Sequence, residues 1–79
     1  MAIKVLVVDD TDHVRRMLSE MLELDGFEVV GEAASGGEAV DVAGRAAADV
    51  IIMDYKMPGV DGLTAARKIK ETRPEQPIV

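Results

Sequence analysis

The chain has 79 residues, 48% of them hydrophobic and 30% charged, with a formal net charge of −6 and a pI near 4.6. That size holds at most one small domain, burying only about 60–65% of its unfolded surface, and the balance of apolar and charged residues excludes a disordered chain. The acidity argues against non-specific binding to nucleic acid or an anionic membrane. With no Cys there is no disulfide framework, thiolate zinc site or Cys nucleophile, and the expected compartment is a reducing cytosol. Met1 leads straight into a strand pattern, so no signal peptide is expected, and the longest apolar run is far too short to span a membrane.

In chain order, Ile3–Val8 is β-branched and nearly continuous apart from Lys4, the pattern of a central parallel strand covered on both faces. From His13 to Asp25, the apolar residues Val14, Met17, Leu18, Met21 and Leu22 recur at helical spacing. Arg15, Arg16, Ser19, Glu20 and Glu23 fall on the other face, and Gly26 is a C-terminal stop. Phe27–Val30 is a shorter strand that Glu28 and Glu32 mark as an edge. Ser35 and Glu38 form a capping-box signature that opens a helix through Ala39, Val40, Val42, Ala43 and Ala46. Asp49–Asp54 is the third strand. A turn from Lys56 to Gly62 leads into a helix with Leu63, Ala66 and Ile69 inward, halted before Pro74. Pro77-Ile78-Val79 opens a fourth strand.

This βαβαβα order with a strand start predicts an α/β fold, a doubly wound parallel sheet with right-handed crossovers and helices on both faces. Ligands of such sheets bind beyond the carboxyl ends of the strands, where the strand order reverses. Two apolar strands end there in acids: Val5–Val8 runs into Asp9-Asp10, and Val50–Met53 into Asp54. A 2-1-3 order would place these strands side by side, about 4.8 Å apart. Three carboxylates that close repel unless they are protonated or share a cation. Oxygen donors with open positions suit Mg²⁺, which takes one or two carboxylates, retained waters and a phosphate oxygen. The pattern reads as a metal-assisted phosphoryl site.

The combination Val7-Val8-Asp9-Asp10 with Met53-Asp54-Tyr55-Lys56-Met57-Pro58-Gly59-Val60-Asp61-Gly62 resembles a response-regulator receiver domain, the phosphoacceptor module of two-component signalling. The resemblance covers the whole chain and implies a flavodoxin-like sheet of order 2-1-3-4-5. It also implies that Asp54 accepts a phosphoryl group from the phosphohistidine of a histidine kinase or phosphotransfer protein. Asp10 and Asp54 would then bind Mg²⁺ directly, Asp9 largely through a water, and Lys56 through its backbone carbonyl. Such a module is not an enzyme beyond slow self-phosphorylation and dephosphorylation. Phosphorylation would add charge that biases a two-state loop.

Simpler roles compete at single positions. Asp10 or Asp12 could cap the first helix, and Asp61 fits a cap of the third better than a metal ligand. Pro58, Gly59 and Gly62 shape a turn. His13, near a helix start, reads as a solvated surface residue. Gly36-Gly37 lacks the phosphate-loop pattern, and Met17 and Met21 sit at core spacing.

A full receiver runs to about 120 residues, near the common domain size, so residues 1–79 read as a truncated receiver domain. The family's hydroxyl residue after the fourth strand and its lysine after the fifth have no counterpart here. The Lys56 side chain could partly offset phosphoryl charge or point to solvent. Two functions stay open: a phosphoacceptor module, or a truncated fragment acting as an assembly or docking element without competent phosphotransfer. A dinucleotide-binding domain is a distant third, because no G-x-G-x-x-G follows the first strand. An unpaired edge at the third strand or fourth-strand stub, with an uncovered Met17/Met21 flank, predicts a homodimer or higher assembly.

Overall fold

A computed structural model describes residues 2–54 and 62–79. The elements run β1 (Lys4–Val8), α1 (Asp12–Leu24), β2 (Glu28–Ala33), α2 (Gly36–Arg45), β3 (Val50–Met53) and α3 (Gly62–Thr72). The three strands form one sheet of order β2-β1-β3, with both pairings parallel. Residues 77–79 extend it beyond β3: Ile78 bridges Ile51 in parallel, the Pro77 carbonyl accepts from the Ile51 N–H at 3.0 Å, and the Val79 N–H donates to Ile51 at 2.8 Å. The fourth-strand start is therefore present, and it covers the edge of β3.

Central β1 is buried from Val5 to Val8, as a strand sandwiched between two layers must be. Leu6 and Val8 face a core with Ala33, Ile51 and Met53 from the sheet, Ala39 and Ala43 from α2, and Ala65 and Ile69 from α3. Strand alternation turns Val5 and Val7 to the opposite face, where α1 packs against β1 and β2.

The first helix departs from the sequence expectation. Its buried residue is Ser19, Arg15 is half-buried, and Met17 and Met21 are 52% and 56% exposed. The helix is rotated so that Leu18 and Leu22 are half-buried while the methionines reach solvent. Ser19 tolerates this because its hydroxyl donates to the Arg15 carbonyl at 3.0 Å. In α3 the inward residues are Gly62, Ala65 and Ile69, while Leu63 is 55% exposed. The close approach of α3 to α2 selects small side chains there, so the larger Leu63 faces out.

Helix ends follow local chemistry. After α1, Gly26 adopts φ +92°, its N–H donates to Glu23 and the Phe27 N–H to Leu22, both at 3.0 Å. This double closure needs a left-handed residue, the role of glycine. At α2, Ser35 Oγ accepts from the Glu38 N–H at 3.1 Å. Glu38 Oε1 accepts from the Ala34 N–H at 3.4 Å, so the return half of the capping box lands one residue early. Ser35→Ala should cost about 1 kcal/mol, read as a lowered urea midpoint with an unchanged slope. The far end of α2 is held by Arg73, whose Nη1 donates to the Ala43 carbonyl at 3.1 Å and to Ala46 at 3.4 Å.

The pairing of β1 with β2 shifts between Val5 and Leu6, leaving Val30 as an extra residue in the edge strand, a bulge. The next residue, Gly31, lies under α2. A Cβ there would stand 3.0 Å from Val42 Cγ1 and 3.3 Å from Leu6 Cδ1. Gly31→Ala should therefore destabilise by about 1–3 kcal/mol through overpacking, measurable as a drop in thermal midpoint.

Candidate functional site

The register of β1 with its neighbours aligns the strand ends. Val8 pairs with Ala33 on one side and with Met53 on the other, so Asp9 and Asp54 leave the sheet at the same level. The Asp54 N–H donates to the Val8 carbonyl at 3.1 Å and the Asp9 N–H to Ala33 at 3.0 Å, which extends both ladders by one rung. Carboxylate oxygens of Asp9, Asp10 and Asp54 lie within 4.8 Å of one another; Asp9 and Asp54 are half-buried and Asp10 is exposed. The three acids anticipated from the sequence are brought together. The Lys56 carbonyl, the Asp61 cap and the Pro58-Gly59 turn lie outside the described residues.

The alternative roles at the turn resolve clearly. The N-cap of α1 is Thr11, with no side-chain cap bond, so neither Asp10 nor Asp12 caps that helix. Asp9 Oδ1 accepts from the Thr11 N–H at 2.9 Å, folding the turn onto the acid and leaving its second oxygen for another partner. His13 is exposed, as a surface residue would be.

One contributor escaped the sequence reading. Arg15, assigned there to the outer face of α1, reaches back to the turn, where Nη1 donates to the Asp9 carbonyl at 2.9 Å. Nη2 meets Asp12 at 2.7 Å and Nε meets Glu32 at 3.1 Å. Its pKa is raised above the ordinary arginine value, first by the hydrogen bond it donates to Asp12, with burial opposing the rise and Glu32 adding to it. An Arg four residues into a helix looks solvent-facing by periodicity; only the position of Glu32 on the neighbouring strand reveals the other use.

A cluster of hard oxygen donors with exposed space suits a small divalent cation. The carboxylates present here fit Mg²⁺. An acid-lined carboxyl edge at the centre of a doubly wound sheet defines a receiver-type α/β module. The model of the response regulator receiver domain matches residues 5–79, and the chain belongs to that family. It is 49% identical over 78 residues to the response regulator GacA of Pseudomonas syringae pv. syringae, covering 98% of this chain and 36% of that protein. Among solved structures, the response regulator domain of Thermotoga maritima CheB superposes with a TM-score of 0.92 at 37% identity, over 99% of this chain and 58% of that one. The CheX-CheY-BeF3-Mg²⁺ complex from Borrelia burgdorferi gives 0.86 at 29% identity, over 96% and 58%. The chain thus spans about a third of the curated GacA relative's length. Among the described residues, no helix is long and apolar enough to cross a membrane.

Proposed function

We propose that this chain is a phosphoacceptor receiver module of a two-component phosphorelay, taking a phosphoryl group from a histidine kinase or phosphotransfer protein onto Asp54. The observation that carries the reading is the convergence of Asp9, Asp10 and Asp54 within 4.8 Å at the strand ends. In the transfer, an Asp54 carboxylate oxygen bonds to phosphorus in line with the donor. The phosphorus–nitrogen bond of the phosphohistidine breaks, and its electron pair returns to the imidazole. Asp9, Asp10, Asp54 and the Lys56 carbonyl would hold Mg²⁺, which when bound offsets the charge that accumulates on the phosphoryl oxygens. The backbone bond from Asp54 to Val8 keeps the nucleophile at the strand end, oriented toward that metal-binding edge. The magnesium-containing complex of the Borrelia relative supports this assignment of the cation.

The test is incubation of the protein with acetyl phosphate and Mg²⁺, followed by intact mass measurement and peptide mapping. A single added phosphoryl group on Asp54, abolished by chelator, is the expected result. No mass gain in a folded sample would contradict the proposal.

A second reading, an assembly or docking element, is favoured by one observation. Met17, Met21 and Leu24 on α1 are 52%, 56% and 87% exposed, apolar surface of the kind that pairs with another chain. On this reading the protein sediments as a homodimer, and Met17→Lys with Met21→Lys returns it to monomer. A compact monomer at high concentration in the unaltered protein would dismiss it.

A further inference from the structure

We infer that Arg15 is a positioning residue for the acidic pocket, fixing the Asp9–Asp10 peptide so that the carboxylates of the turn face Asp54. The inference rests on the cation-binding reading given above. Asp9 is held at three points. Its N–H donates to Ala33 at 3.0 Å, its Oδ1 accepts from the Thr11 N–H at 2.9 Å, and its carbonyl accepts from Arg15 Nη1 at 2.9 Å. The first two fix where the residue starts and where its side chain folds. The third fixes the plane of the peptide that leads into Asp10, and hence the direction from which Asp10 enters the pocket.

Arg15 suits this task because its own freedom is removed. Its side chain is 13% exposed, and each of its three guanidinium nitrogens has a partner on a different segment: Glu32 of β2 at 3.1 Å, the Asp9 carbonyl at 2.9 Å and Asp12 of α1 at 2.7 Å. The planar fork makes these bonds from one rigid group, which a lysine ammonium on a flexible stem cannot reproduce. Asp12, with its side chain 79% exposed, adds little energy of its own; Glu32 provides the anchor on the sheet. Arg15 thus ties the metal-facing turn to the edge strand through the first turn of α1.

Charge and geometry predict opposite effects on cation binding, which makes the inference decidable. If Arg15 acted only as a nearby positive charge, its removal would strengthen Mg²⁺ binding by relieving repulsion of the cation. As a positioning group, its removal weakens binding, as loss of a ligand-supporting contact does by about 10–100-fold. The experiment is Mg²⁺ titration of the full chain and of Arg15→Lys, Arg15→Ala and Glu32→Gln, followed by amide NMR, with thermal midpoints and metal-free Thr11 amide exchange measured alongside.

Arg15→Lys is expected to lose roughly tenfold in affinity and to speed Thr11 exchange while remaining folded. Arg15→Ala should also bind more weakly despite the lost positive charge. Glu32→Gln should fall between wild type and Arg15→Lys, and it decides the matter should either Arg15 variant fail to fold. Wild-type affinity in Arg15→Lys, or tighter binding in Arg15→Ala, would overturn the inference. If the unaltered protein binds no Mg²⁺, the proposed function fails by itself. Thr11 exchange then judges Arg15 separately: faster exchange in Arg15→Lys supports the positioning role, and unchanged exchange overturns it.

Discussion

Asp54→Asn is expected to eliminate phosphoryl uptake at that position while leaving the chain folded. The amide preserves the shape of the side chain but has no anionic oxygen to attack phosphorus, and the other two acids of the cluster follow β1 rather than β3. Asp9 is already committed through Oδ1 to the Thr11 N–H, and Asp10 is exposed at the turn. Far-UV circular dichroism checks that the variant keeps its fold. Asp10→Asn is the informative companion. It keeps the nucleophile and weakens the cation site, so transfer slows while Asp54 remains the modified residue, and more Mg²⁺ partly restores the rate. Peptide mapping after phosphodonor treatment separates the two variants. Full phosphorylation of Asp54→Asn at Asp9 or Asp10 would show that the acids are interchangeable and that strand position does not choose the nucleophile.

The largest loss of stability should follow Leu6→Ala. Leu6 is fully buried on the central strand and packs in the cluster shared by β3, α2 and α3, so no single element can move in to fill the gap. Such truncations cost about 2–5 kcal/mol. A domain of this length is stable by roughly 4–12 kcal/mol, taking about 0.05–0.15 kcal/mol per residue, so the variant should lose a large share of that margin and unfold at a clearly lower urea midpoint. Leu24→Ala, at a position 87% exposed, serves as the control and should shift stability by no more than about 0.5 kcal/mol. Equal urea midpoints for the two would mean that the core does not centre on β1.

The strands and the acids were legible in the sequence because both depend on short-range signals. Continuous apolar runs specify buried parallel strands, and an acid directly after such a run has few structural excuses. The 2-1-3 order came through the family resemblance, since apolar periodicity carries no information about which strand lies beside which. Helix faces were less legible. Hydrophobic spacing favours large side chains, so it chose Met17, Met21 and Leu63, whereas packing chose Ser19 in α1 and Gly62 and Ala65 in α3. A small residue is selected by how near the next backbone comes, which no pattern within one helix records. Arg15 was missed for a related reason: its partner Glu32 lies on another strand, and charge placement along a helix cannot foresee it.

The parallel register of β1 with β3 also makes the acidic cluster a non-local feature of the chain. The contact between the Lys4 N–H and Asp49 Oδ2 joins residues 45 apart, and Asp54 reaches Asp9 and Asp10 only once that long crossover has closed. Non-local pairing of this kind carries its loop-closure cost before any contact rewards it. A partly folded chain holding only β1, α1 and β2 would possess two of the three acids and no pocket. Any ion that favours the complete trio therefore favours the closed sheet by mass action. A cation held at this edge would act as a late clasp on the fold, raising the thermal midpoint as its concentration rises.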